Sequence, residues 1–223
     1  MKFDSVEAMR AALLEAVGDI DPDSPRGRKR ARLLDTAIAL FVAHGYRKTS
    51  IDDIARAAGI AKGTVYLYFA TKVDLLLTAF AYEKLRRFAL LDGLDALPPR
   101  ERLRRWIRAT LLMVADSPLL SRAAIGDPDL IAAVLEAAPE RMADLNARGA
   151  GFIGDLLDAA FAPRTFTDDE RRERIALLES LGRFAPLLRD DPLRQGLSIE
   201  RFADVLADVL VDGIGPPPTS DRA

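Results

Sequence analysis

The run Lys62-Gly63-Thr64-Val65-Tyr66-Leu67-Tyr68-Phe69 gathers a cation, an alcohol, two phenols and a glycine within eight residues. Wound as a helix, it turns Val65 and Phe69, four positions apart, toward a core and leaves Lys62, Thr64, Tyr66 and Tyr68 facing outward or sideways. Side chains of this kind hold and orient; none is set beside a base that would make it a nucleophile. They suit a groove. The major groove of DNA, about 12 Å wide, takes a helix that presents small and polar groups, and a glycine such as Gly63 lets the backbone come close. Ser50 with Asp53 and Thr71 with Asp74 have the spacing of capping boxes, which mark two helix starts. Thr49 or Ser50 at the first start, and Thr71 with Lys72 at the second, place hydroxyls, free N–H groups and a charge where phosphate oxygens bind. Lys62, Gly63 and Thr64 are expected nearest the bases, with Tyr66, Tyr68 and Lys72 mostly on phosphates.

Other chemistries find little to work with. The 223 residues hold no cysteine and one histidine, which removes disulfides, thiolate sites and the usual zinc ligands. No nucleophile with a base partner is visible, so no enzyme, cofactor or metal is expected. Gly149-Ala150-Gly151-Phe152-Ile153-Gly154 fits the dinucleotide fingerprint letter for letter, but that motif acts only between a strand and a helix, and here it follows the helical run 141–148. Its glycines are expected to serve close helix packing or to leave room for a ligand. The acidic groups at Asp127/Asp129, Asp168/Asp169/Glu170 and Asp190/Asp191 read as helix starts and turns, and His44 as a solvated or capping residue. Asp4 and Glu7 stand where a signal peptide needs a basic start, and no apolar run of about 18 residues could span a bilayer, so a cytoplasmic protein with no membrane contact is expected.

Apolar residues recur at three- and four-residue steps almost throughout, which predicts an all-α chain. Residues 1–25 form an extension: an amphipathic helix through Val6, Met9, Leu13 and Val17, then the breaker-rich Asp21-Pro22-Asp23-Ser24-Pro25. Residues 26–80 form a three-helix head, with two short helices joined at Gly59 as a helix-turn-helix. Residues 81–214 form a helical body, with helices near 99–116, 118–137, 139–161, 168–189 and 198–213. The tail 215–223, with Pro216-Pro217-Pro218, is expected to be disordered. Charge follows the same division. Residues 26–85 hold 11 Lys and Arg against 5 Asp and Glu, a net +6, while the rest of the chain nets −8. A basic head suits phosphate, and the arginines at 26–32 add to it.

The stretches Thr49-Ser50-Ile51-Asp52-Asp53-Ile54-Ala55, Ala58-Gly59-Ile60 and Lys62 through Phe69 with Thr71-Lys72, preceded by Phe41-Val42-Ala43-His44-Gly45-Tyr46, resemble the TetR family of bacterial transcriptional regulators. The likeness covers about a quarter of the chain and departs at Ala61, where many members have serine. It implies a regulator, most simply a repressor, that binds a palindromic operator in double-stranded DNA as a homodimer and is released by a small-molecule effector. An apolar or aromatic effector is expected in the body, with Trp106, Leu112, Met113, Met142, Phe152 and Phe161 as candidate walls. The stripes Ile175, Leu178, Leu181, Phe184 and Phe202, Leu206, Val209, Leu210 are expected to pair across a four-helix dimer interface. A DNA-binding structural or division-control protein with the same head and no effector is the alternative.

Overall fold

Local signals place the helix starts. Ser5, Ser24, Ser50, Thr71, Thr167 and Ser198 each accept an N–H from the first turn of the helix that follows, and prolines open several others, where a missing N–H costs nothing. In the computed structural model, which describes residues 5–137 and 139–215 and, of Ala137, Arg141 and Met142, the backbone alone, these starts yield an all-α chain with no strand among the described residues. The order is α1 (Val6–Val17), α2 (Pro25–His44), α3 (Ile51–Ala58), α4 (Lys62–Tyr68) and α5 (Lys72–Arg86), then α6 (Pro99–Ala115), α7 (Pro118–Ala124), α8 (Pro128–Ala137) and α9 (Pro139–Phe161). After these come α10 (Asp168–Phe184), α11 (Asp191–Arg194) and α12 (Ile199–Gly213). Short 3-10 turns follow α5 and α10. The tail expected to be disordered lies, Gly215 apart, outside the described residues.

Two hydrophobic cores organise these helices. The first, in the head, collects Leu33, Leu34, Phe41, Ile54, Val65, Leu75 and Leu76, and receives Leu119 from α7 and Leu130 and Val134 from α8. The second is built on α6, whose Leu103, Trp106, Ile107 and Leu111 meet Phe152 and Leu157 of α9, Leu178 of α10 and Val211 of α12. α5 runs unbroken past residue 80 to Arg86 and so links the two. Among the described residues no single helix is long and apolar enough to cross a membrane.

Two expectations change here. Ile175, Leu178 and Leu181 are buried within their own chain, and Phe202, Leu206 and Leu210 pack against the same core. Of the eight residues expected at a dimer interface, only Phe184 and Val209 are exposed. A helical stripe reports that a face is covered, not by what; α6 covers these two. Trp106, Leu112 and Phe152 are likewise packed in the body core, with Met113 and Phe161 against it; the side chain of Met142 lies outside the described residues. The glycine-rich run sits inside α9, where a Cβ on Gly154 would collide with the Arg171 guanidinium. That position makes room for α10.

Candidate nucleic-acid interface

α3 is a brace for α4. Ile51, Ile54, Ala55 and Ala58 of α3 are buried, Gly59 takes the left-handed conformation at φ 65° that ends the helix, and α4 leaves after Ile60 and Ala61. α4 itself is anchored by Val65, with Phe69 just beyond its end, both buried. The rest of the helix is open to different degrees. Lys62, Gly63, Tyr66 and Leu67 are exposed, Thr64 and Tyr68 half-buried. Nothing lies within 4 Å of where a Gly63 Cβ would stand, so the helix offers bare backbone at its first turn. Ala61 precedes α4 without any side-chain cap. The first turn keeps its N–H groups free of a side-chain acceptor, as a phosphate-facing turn would.

The cations around this helix are tethered to different degrees. Lys62 Nζ lies 2.9 Å from Asp52 of α3, and the hydrogen bond to that carboxylate raises its pKa; both side chains are half exposed, so a phosphate or base edge can exchange for Asp52. Arg26 and Arg30 each hold a guanidinium 5.9 Å from the Tyr68 ring centroid, a cation–π arrangement that fixes the phenol at the end of α4.

Residues 33–79 match the family described as bacterial regulatory proteins, tetR family. The head carries a TetR-family DNA-binding domain. MftR of Mycobacterium tuberculosis, named for mycofactocin biosynthesis, is 42% identical over 94 residues, 40% of this chain and 46% of that protein. The transcriptional repressor KstR of Rhodococcus jostii is 34% identical over 146 residues, 65% of this chain and 63% of that one. The chain therefore spans less than two thirds of the length of either relative. Among solved structures, NalD of Pseudomonas aeruginosa, the secondary repressor of the MexAB-OprM multidrug efflux pump, superposes with a TM-score of 0.60 at 22% identity, covering 83% of this chain and 96% of that one. FadR of Bacillus subtilis in complex with stearoyl-CoA gives 0.57 at 18% identity, with 82% and 98% covered. These likenesses establish the TetR fold.

Within this TetR-family head, the eight residues expected on DNA divide. Lys62, Gly63, Thr64 and Tyr66 share α4 and stand at its open face, and Ser50 is exposed at the start of α3. Ser50 is also engaged locally: its hydroxyl donates to Asp53 at 2.6 Å and accepts the Asp53 N–H at 3.1 Å, and these bonds hold the Asp53 carboxyl below its usual pKa. Thr49 is a correction. It is 2% exposed, and its hydroxyl lies 2.9 Å from the Gly45 carbonyl and 3.2 Å from that of Leu40, so it closes the α2–α3 corner instead of meeting phosphate. Lys72 donates to the carbonyls of Tyr46 (3.0 Å) and Thr49 (3.1 Å) and sits 4.1 Å from the Tyr46 ring centroid; burial lowers its pKa. Two of its three N–H bonds are spent on the head itself. Sequence reasoning missed Leu67, 80% exposed on α4. Its position two residues after buried Val65 was the available signal, since i and i+2 do not share a helix face.

Proposed function

We propose that this chain is a transcriptional repressor that binds a palindromic operator as a homodimer and is released from it by a small-molecule effector. One observation carries the DNA half: α4 buries Val65, with Phe69 buried just beyond its end, and leaves Lys62, Gly63, Tyr66 and Leu67 exposed with Thr64 half-exposed among them. Gly63 and Thr64 would stand against bases, Lys62 would exchange Asp52 for a base edge, and Leu67 would meet a thymine methyl or sugar. The names of relatives such as KstR support repression. Head (26–80) and body (81–214) divide the labour, in the cytoplasm, where the DNA is.

Release would follow from differential binding: an effector that favours a body conformation holding two heads at the wrong separation weakens DNA binding by the coupling free energy, typically about 1 to 3 kcal/mol or roughly 5- to 150-fold. α5 is the lever, because it belongs to both cores. A cavity of about 460 Å³ between α2 and α5 on one side and Asp116, Ser117 and Arg189 on the other lies across that lever.

The test is fluorescence anisotropy of the purified chain against DNA upstream of its own gene, at near-physiological salt with competitor. Tight, competitor-resistant binding by two chains per site supports the repressor reading. Only weak binding that falls steeply with salt, against this DNA and against duplexes selected from a random pool, overturns it. Tight binding that no member of a broad apolar ligand panel reverses favours the structural DNA-binding alternative.

A further inference from the structure

The helix ahead of the head belongs to both cores. At one end of α1, Val6 enters the body core, with Met9 and Leu13 packed against it; at the other, Val17 enters the head core, with Ile20 beside it. Twelve residues at about 1.5 Å each give a rod of roughly 18 Å, and it lies along α5. The body end is pinned by the Val6 N–H, which donates to Asp95 at 3.1 Å, and by Arg10, 3.7 Å from Asp92 and with its guanidinium 5.9 Å from the Phe88 ring centroid. Arg30 pins the head end: its Nε donates to the Val17 carbonyl. The same guanidinium lies 4.7 Å from the Phe69 ring centroid and reaches the Tyr68 carbonyl at 3.5 Å. The link between α1 and α2 is seated as tightly, since a Cβ on Gly27 would collide with the Asp21 backbone.

We propose that α1 is a strap between body and recognition helix, and that Arg30 is the positioning residue that joins it to the last turn of α4. The chain of contacts runs from the body core through Val6 and α1 to the Val17 carbonyl, then through one guanidinium to Tyr68 and Phe69. A helix held at one end frays; one held at both ends transmits displacement. The strap thus sets the angle at which α4 is presented, and a shift of the body moves that end of α4 directly, in parallel with α5. Its consequence for DNA rests on the proposed function above; the mechanical link does not.

Hydrogen exchange of the full chain separates a strap from a mere cover over apolar surface. Val6→Ala with Met9→Ala loosens the body end far from α4; Arg30→Met removes the joint, and Arg30→Lys keeps the charge without the fork that bridges two carbonyls. We expect amides 66–69 to exchange about threefold faster or more in each variant, Arg30→Lys included, with no further gain when body-end and Arg30 changes are combined. Affinity for a duplex selected by the wild-type chain from a random pool should fall with the same non-additivity. A lower melting temperature with faster exchange confined to α1, or additive effects, overturns the strap. Coupled exchange at 66–69 in a chain that selects no duplex supports the strap and counts instead against the DNA role of α4.

Discussion

Gly63 separates the folding role of a residue from its recognition role. A helix interior favours alanine over glycine by about 0.5 to 1 kcal/mol, and no atom stands within 4 Å of the added Cβ. Gly63→Ala should therefore leave urea stability equal or raised while weakening specific DNA binding by about tenfold or more, the cost of keeping α4 off the groove floor. Equal binding would place Gly63 away from DNA. Thr49 is the opposite case: Thr49→Val removes a buried hydroxyl bond and should cost about 1 kcal/mol in urea unfolding, while anisotropy with the folded protein stays unchanged. That contrast was hidden in the sequence, because neighbouring Thr49 and Ser50 look alike there and only the α2–α3 corner decides which hydroxyl turns inward. Lys62 and Tyr66 were readable by type more than by spacing: each stands three residues before a buried apolar residue, Val65 or Phe69, and it is the polar end of the side chain that reaches solvent.

At the scale of elements, capping chemistry was the most legible feature. The boxes at Ser50/Asp53 and Thr71/Asp74 both form as their spacing implies, because the pattern needs only local backbone geometry. Long-range caps leave no such trace. Glu83 of α5 is buried and accepts the N–H groups of Leu119 (3.1 Å) and Leu120 (2.9 Å), serving α7 from 36 residues away. Burial raises its pKa despite those two bonds. The folded chain then keeps a proton on Glu83 at pH values where the unfolded chain has lost it. The stability this group contributes is present in full below the ordinary carboxylate value of 4.5 and falls as pH rises through the raised one. Glu83→Gln removes that titration, so stability of the variant relative to wild type should climb from pH 4.5 to 8, measured by urea unfolding at each pH. A constant difference would mean that Glu83 titrates alike in both states. The direction of the body's apolar stripes was equally unreadable, since helix periodicity does not name the covering partner; only packing shows that α6 takes Leu178 and Leu181.

At the scale of the molecule, a palindromic operator requires two heads about one DNA turn, roughly 34 Å, apart, and so an interface rigid enough to keep them there. Once Ile175, Leu178 and Leu181 are assigned to the chain's own core, the apolar surface left on the same two helices is Leu177 and Phe184 of α10 with Val205 and Val209 of α12. Phe184 is 56% and Val209 64% exposed, on two helices that both pack against α6, and large apolar side chains left open in this way mark a surface that a partner covers. A second copy offering the same four residues would bury them symmetrically, and a stable pair needs about 800 Å² from each partner. Val209→Glu places a charge on the most exposed of these four residues but, because the side chain points away from the core, leaves the protomer's fold intact. Sedimentation should then show a monomer with a near wild-type melting temperature, and tight operator binding should drop by at least about tenfold while weak, salt-sensitive binding by a single head survives. Leu178→Glu, by contrast, buries a charge in the body core and should unfold the chain, which distinguishes the two faces of α10 in one experiment. A Val209→Glu chain that still sediments as a dimer would move the interface off α12 altogether and leave the exposed face of these helices to another partner.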